Sequence, residues 1–247
     1  MTNRFSTSRS FLLVLLLGWT TAISAQQAPE SFNYGFVSPN TKTDMKIEDA
    51  IKGMNSPEEV QLRNKAINLS CVVRSRIRAF KALGLWADGG AEHSIMLRVK
   101  TDEATLRYVL SRMGRDAQQE YVAYFQPRRG GSTELYTLRP PRRASNFVAL
   151  TNALYRAGIP YGTLVAFGGT TAVYIIDLDD NLRQKILTVA RRLRARVSHQ
   201  SGNASLFGDA ERQKARVVFE QEIKDYEAKN PSLPPTCDVK AIHRLHR

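Results

Sequence analysis

Residues 94–167 alternate between two hydrophobic periodicities, and this alternation restricts the possible folds more than any other feature of the chain. Residues 94–100 alternate apolar and polar side chains, as a half-buried strand does, whereas residues 101–114 repeat apolar side chains at helical spacing. Later segments continue in the order strand, strand, helix, strand. The complete order is that of a ferredoxin-like unit. The sequence therefore predicts an α+β fold with a ferredoxin-like βαββαβ core at about residues 94–167.

Three further helical patterns lie outside this core. A long helix is predicted to begin at Ser56 and to continue to Gly84, because apolar residues recur at three- and four-residue steps throughout. Residues 182–197 extend the core with one helix, and residues 209–226 form a C-terminal helix. The long N-terminal helix and the C-terminal helix are expected to cover a sheet face that would otherwise expose apolar side chains.

Two hairpins are predicted from short apolar segments that turn residues separate. Residues 121–126 and 134–139 are expected to pair as the first hairpin. Residues 163–167 and 170–178 flank Gly168-Gly169, and two glycines supply the positive φ angles that a tight hairpin turn requires. The second hairpin adds one strand to the predicted core.

Residues 1–25 have the three parts of a secretory signal peptide. Arg4 and Arg9 precede a short apolar run at residues 11–17, and small residues at 22–25 offer a cleavage site. The apolar stretch is shorter than the roughly 20 residues that a membrane-spanning helix needs. We therefore expect an exported protein, periplasmic or secreted, with no transmembrane span in the mature chain.

The remainder of the sequence is predicted to hold one domain with two appendages. These parts are a polar N-terminal arm at residues 26–55, a single α+β domain at residues 56–230 and a basic C-terminal tail at residues 231–247. The chain has two cysteines, Cys71 and Cys237, and in an oxidising compartment a disulfide between them would tie the tail to the domain. The alternative is a buried Cys71 and a free Cys237.

A loop at residues 86–94 concentrates the side chains that could carry catalysis. Asp88 or Glu92 could orient His93 as a general base, with Ser94 as the nucleophile. Neighbouring residues at the start of a strand point to opposite faces, however, so His93 and Ser94 are not expected to face each other. We favour the alternative, a glycine-rich connector whose carboxylates accept hydrogen bonds from nearby backbone N–H groups.

No metal, cofactor or nucleic acid is predicted to bind. The glycine pairs match neither the dinucleotide-binding pattern nor the P-loop pattern. Cys237, His243 and His246 lack the paired cysteine spacing of structural zinc sites. The βαββαβ order is shared with RNA-recognition modules, but residues 131–138 do not fit their strand motif, and export argues against RNA.

Charge is the strongest functional signal in the sequence. Lys and Arg number 36 against 23 Asp and Glu, which gives a formal net charge of +13 and favours an anionic partner. Arginine binds phosphate and carboxylate in bidentate geometry. The residues predicted to form a basic binding surface are Arg128, Arg129, Arg139, Arg142, Arg143, Arg191, Arg192 and Arg194, with Arg183 and Arg196 on the same predicted helix. The alternative is a solvent-exposed basic face that serves solubility alone.

These observations predict a binding role. The expected function is a non-enzymatic binding or assembly module for an anionic glycan or lipid of the cell envelope, or for an acidic protein. The alternative is a small envelope hydrolase that uses the loop at residues 86–94.

Overall fold

Eight strands and five helices make up the part of the chain that the structure, a computed structural model, describes. The described residues are 32–38, 46, 49, 56–85, 91–140, 147–159, 163–167, 172–177 and 182–234. The strands are β1 (Asn33–Val37), β2 (Ile77–Leu85), β3 (Ala91–Val99), β4 (Tyr121–Pro127), β5 (Thr133–Arg139), β6 (Thr163–Phe167), β7 (Ala172–Asp177) and β8 (Arg196–Gly208). The helices are α1 (Pro57–Val72), α2 (Glu103–Asp116), α3 (Phe147–Arg156), α4 (Arg183–Arg192) and α5 (Arg212–Lys229).

The strands form a closed antiparallel barrel in the order β1-β3-β2-β6-β7-β5-β8-β4, and β4 pairs with β1 to complete it. The element order βαββαβ occurs twice, first from β1 to β4 and then from β5 to β8. Within each half, the first strand pairs with the third and fourth, and the third pairs with the second. The halves join where β2 pairs with β6 and β4 pairs with β8. The fold is therefore α+β, with two topologically equivalent halves.

Apolar side chains fill three separate layers. In the described part of the chain, the buried side chains of the barrel interior come from strands, namely Tyr34, Phe36, Ala82, Met96, Phe125, Leu135, Ala172, Tyr174 and Ile176. Outside the barrel, α1, α2 and α5 cover the first half, and α3 and α4 cover the second half. β3 shows how one strand serves two layers, because Met96 lies in the interior while its neighbours Ile95 and Leu97 pack against helices.

α2 follows the sequence prediction closely. Asp102 caps the helix, since its carboxylate accepts a hydrogen bond from the Thr105 backbone N–H at 2.7 Å. The apolar stripe that includes Leu106 and Leu110 is fully buried against the barrel and α5. Full burial of such a side chain contributes about 1.5–3 kcal/mol, so this stripe is a main reason that α2 docks where it does.

The predicted ferredoxin-like core at residues 94–167 is not confirmed. The predicted hairpin between residues 121–126 and 134–139 is absent, because β8 lies between β4 and β5 and pairs with both. The centre of β8 is the polar run Ser198-His-Gln-Ser-Gly-Asn-Ala-Ser205, which has no alternating apolar pattern to indicate a strand. By contrast, β6 and β7 pair as predicted, although Gly168-Gly169 lies outside the described residues.

The long helix predicted from Ser56 to Gly84 is wrong in its second half. α1 ends at Val72, and Arg74 adopts a left-handed backbone conformation with φ of 50° before β2 begins. Ile77 and Phe80 have helical spacing, but as strand residues they face different layers, Ile77 the helices and Phe80 the barrel interior. A spacing of three residues is therefore equally compatible with a helix and with a strand that is buried on both faces.

Two other predicted segments contain strands. The polar arm at residues 26–55 includes β1, whose five residues are all buried between β3 and β4. The helix predicted at residues 182–197 ends with α4 at Arg192, and β8 begins at Arg196. The C-terminal helix predicted at residues 209–226 is observed as α5 at Arg212–Lys229.

Several predictions fall outside the described residues. These are the signal peptide at residues 1–25, Asp88, Arg142, Arg143, Cys237 and most of the C-terminal tail. In the described part of the chain, no helix is long and apolar enough to cross a membrane. Cys71 is buried on α1.

The Cys71–Cys237 disulfide stays a prediction, and thiol labelling tests it. If the bridge forms, iodoacetamide will label neither cysteine in unreduced, denatured protein, and both after reduction. Cys237→Ser should then release one reactive thiol, Cys71. Labelling of both thiols in oxidised protein that has not been reduced would contradict the bridge.

Candidate functional site

Two pairs of arginines lie at one end of the barrel. Arg78 on β2 is directly opposite Arg98 on β3, and Arg139 on β5 is directly opposite Arg196 on β8. β3 and β5 run in the same direction, so Arg98 and Arg139 at their C-terminal ends lie at the same end of the barrel. We call this set of four residues the arginine mouth.

The alternation of each strand directs the arginine mouth towards the inside of the barrel. Arg98 follows the interior residue Met96 by two positions and is directly opposite the interior residue Tyr34. Arg139 follows the interior residue Leu135 by four positions. Directly opposite residues on paired strands share a face, so the other arginine of each pair also lies on the interior side. Arg98 is half-buried and the other three are exposed, as expected for a rim that opens to solvent.

The two pairs occupy opposite walls of the barrel. In the strand order, β6 and β7 separate the pairs on one side, and β4 and β1 separate them on the other. Burial raises the pKa of Tyr174 above its ordinary value, and the neighbouring Tyr34 adds to the rise. The charges of Arg139 on one wall and Arg98 on the other both oppose this rise.

Aromatic side chains form the floor of the arginine mouth. The rings of Tyr34 and Tyr174 lie 5.8 Å apart, tilted by 43°. The Cζ atom of Arg98 is 3.9 Å from the ring centre of Phe32, close enough for a cation–π contact that holds the guanidinium in place. The site thus offers cationic walls above an aromatic base.

Within the described residues, the arginine mouth has no carboxylate partner, unlike Arg107, Arg128 and Arg216. Among the described residues, none of its four guanidinium groups forms an ion pair, and Nε of Arg98 is buried without a hydrogen-bond partner. Like charges directly opposite each other on paired strands destabilise a sheet. An anion bound between the walls would relieve this repulsion and supply the missing acceptors.

A second basic cleft differs in this respect. It has a volume of about 360 Å³ and lies between the end of α2 and the start of α5. Its arginines are all paired: Arg115 with Asp116, Arg212 with Glu120 and Arg216 with Glu220. Internal carboxylates already neutralise this cleft, so it has less need of an external anion than the arginine mouth has.

The described residues of the candidate catalytic loop lie on two faces of β3. Glu92 and Ser94 lie on the barrel interior beside Gly84, and Ser94 Oγ donates a hydrogen bond of 3.4 Å to Glu92. His93 faces the opposite way, towards the helices, and its carbonyl oxygen accepts a hydrogen bond from Ser38. The structure therefore brings Glu92 to Ser94 but not His93 to Ser94. Asp88 lies outside the described residues.

The described arginines of the predicted basic surface occupy three places. Arg139 belongs to the arginine mouth. Arg128 and Arg129 lie in the turn after β4, where Arg128 pairs with Glu103 at 3.0 Å. The others, Arg191, Arg192 and Arg194, are exposed at the C-terminal end of α4.

Sequence reasoning missed Arg78 and Arg98 as binding residues, and it placed Arg196 on the basic face of a helix instead of on a strand. Arg98 was placed on the polar face of a predicted strand, but what lay opposite it could not be known. Arg78 and Arg196 fell in segments predicted to be helical. The available signal was the two-residue spacing of Arg78, Phe80 and Ala82, which in a strand places all three on the face towards the barrel interior.

A polar cluster joins β5 and β8 on the outer face of the barrel. Glu134 accepts a hydrogen bond from Ser201, and its other oxygen lies 3.0 Å from Nδ1 of His199. Burial alone would raise the pKa of Glu134, but these two neighbours lower it overall. The carboxylate lies between the hydroxyl and the imidazole, so His199 is not positioned to activate Ser201 as a nucleophile.

Among the described residues, no group of three or more metal-binding side chains occurs.

We expect Glu134→Gln to lower the free energy of unfolding at pH 7 by about 0.5–1 kcal/mol. A carboxylate whose pKa is lowered by folding stabilises the protein above its unfolded pKa and loses this contribution as the pH falls through its folded pKa. The difference between wild type and variant should therefore shrink below about pH 4.5. Urea denaturation at several pH values measures it, and a constant difference down to pH 3 would contradict the assignment.

Comparison with known proteins identifies no family. The sequence matches no protein-family model and no curated protein. A solved structure from Fusobacterium nucleatum, described as a "Putative monooxygenase", is 12% identical with a TM-score of 0.24, over 72% of this chain and 94% of that chain. A similarity at this TM-score carries no argument about fold or activity.

Proposed function

We propose that this protein is an exported, non-enzymatic binding module whose arginine mouth takes up a phosphate or carboxylate group of an envelope glycan or lipid. Export is supported by the signal-like residues 1–25. The binding role is supported by the placement of four arginines at one end of the barrel, where Arg78, Arg139 and Arg196 are exposed to solvent.

One observation carries this proposal. Two pairs of like charges stand directly opposite each other in the sheet, and among the described residues no carboxylate pairs with them. Such an arrangement costs stability unless an external anion compensates for it. Each hydrogen bond between a guanidinium and an anion contributes about 1.5–3 kcal/mol, so the site has a clear source of affinity.

The fold supports a finer proposal about the architecture. Each half has the βαββαβ order and the fourth-first-third-second strand order of a ferredoxin-like unit. We infer that the barrel consists of two ferredoxin-like units in tandem. The core predicted at residues 94–167 then combines the second half of the first unit with the first half of the second unit.

Calorimetric titration with pyrophosphate tests the proposed function. We expect binding at about 20 mM NaCl that weakens at least tenfold at about 250 mM NaCl, because salt screens exposed charges. Arg216→Gln removes one arginine that is already paired with Glu220 and serves as the matched control, with affinity unchanged within about twofold. No heat of binding at low salt, or an affinity that salt does not change, would contradict the proposal.

A further inference from the structure

Resting on the proposed function, we infer that the ligand carries two anionic groups, one for each arginine pair, joined by a short planar linker that lies on the tyrosine floor. The pairs face each other across the barrel instead of standing side by side. Each pair alone presents two guanidinium groups that repel each other, and one phosphate or carboxylate between them satisfies both.

The size of the barrel favours two anionic groups over one. Neighbouring strands lie about 4.8 Å apart, so a ring of eight strands is at least about 12 Å across, and strand tilt widens it further. A single phosphate held by Arg78 and Arg98 on one wall leaves Arg139 and Arg196 on the other wall without a partner. A second anionic group on the same molecule neutralises both walls.

The floor indicates the chemistry of the linker. Tyr34 and Tyr174 lie between the two walls with 7% and 9% of their surface exposed, and a small planar group can cover what remains exposed. Below them the described interior is filled, since Met96, Phe125 and Leu135 are fully buried. The ligand is therefore expected to lie across the mouth, and a compact linker suits this position better than a long acyl chain.

Benzoate and terephthalate form the direct test, because they share a ring and differ by one carboxylate. We expect wild-type protein to bind terephthalate at least tenfold more tightly than benzoate in calorimetric titrations at low salt. Arg78→Gln/Arg98→Gln and Arg139→Gln/Arg196→Gln should each reduce terephthalate affinity to that of benzoate. Benzoate affinity should change by less than about threefold in either double variant, since the remaining pair still binds one carboxylate.

The outcomes separate this inference from the function on which it rests. Equal affinity for the two carboxylates, together with salt-sensitive pyrophosphate binding, would overturn the two-group ligand but leave the anion site intact. Loss of terephthalate binding in only one double variant would also overturn it. Absence of binding for all three anions at low salt would overturn the proposed function itself. Thermal melts check that both double variants are folded. If a double variant is not folded, the single variant Arg78→Gln or Arg196→Gln on the same wall is used in its place.

Discussion

Replacing Arg98 and Arg139 together by glutamine is expected to weaken pyrophosphate binding at least about 100-fold, because each change removes a charge-assisted hydrogen bond worth about 1.5 kcal/mol or more. The same variant is expected to gain about 0.5–2 kcal/mol in free energy of unfolding, because it removes one charge from each like-charged pair. A gain in stability together with a loss of binding is characteristic of a functional site.

The matched control is Arg128→Gln/Arg216→Gln, which removes the same charge from two arginines that already have carboxylate partners. We expect this control to retain pyrophosphate binding within about threefold and to gain no stability. Titration calorimetry and urea denaturation measure the two effects. Equal losses of affinity in both variants would show that net charge, and not the arginine mouth, determines binding.

Gly202→Ala is expected to lower the free energy of unfolding by more than about 3 kcal/mol. Gly202 is the point at which β8 passes from one neighbour to the other, since it is opposite both Thr133 on β5 and Pro127 on β4. A Cβ atom there would lie 2.3 Å from the carbonyl oxygen of Gln126 and 2.5 Å from the ring of Phe125. Backbone and core must therefore move apart to accept one methyl group.

Gly130→Ala provides the comparison for this prediction. Gly130 has a φ of 71°, but a Cβ atom there would meet nothing within 4 Å, so only the left-handed backbone conformation opposes the change. We expect a cost of about 1–2 kcal/mol at this position. Chemical denaturation of the two variants side by side measures the difference. A smaller loss for Gly202→Ala than for Gly130→Ala would contradict the passage of β8 between β4 and β5.

The sequence predicted elements well where one face is apolar and the other polar. α2 and α5 have this pattern, and the structure has both. The strand that contains Met96 and Arg98 is present too, but it is buried on both faces and not half-buried as its alternation predicts. β2 and β8 lack the pattern. β2 is buried on both faces, so its apolar residues also fit a helix, and the centre of β8 is polar on both faces, so no periodicity marks it.

These two strands also explain why the site was only partly predicted. Arg139 and Arg196 are both among the predicted basic residues, but Arg196 is predicted on a helix and begins β8, and Arg78 lies on β2. A site formed by cross-strand pairs depends on register between segments that are far apart in the sequence, and local patterns contain no information about that register. The net charge of +13 indicated an anionic partner without indicating where it binds.

The most direct measurement of the central claim is a ¹H–¹⁵N spectrum of the arginine Nε–H groups during titration with pyrophosphate. Signals are assigned by their absence in Arg98→Gln, Arg139→Gln, Arg128→Gln and Arg216→Gln. The proposed site predicts saturable shifts for Arg98, whose Nε has no hydrogen-bond partner among the described residues, and for Arg139, with little change for Arg128 and Arg216. Shifts confined to Arg128 and Arg216, with those of Arg98 and Arg139 unchanged, would contradict the arginine mouth as the binding site.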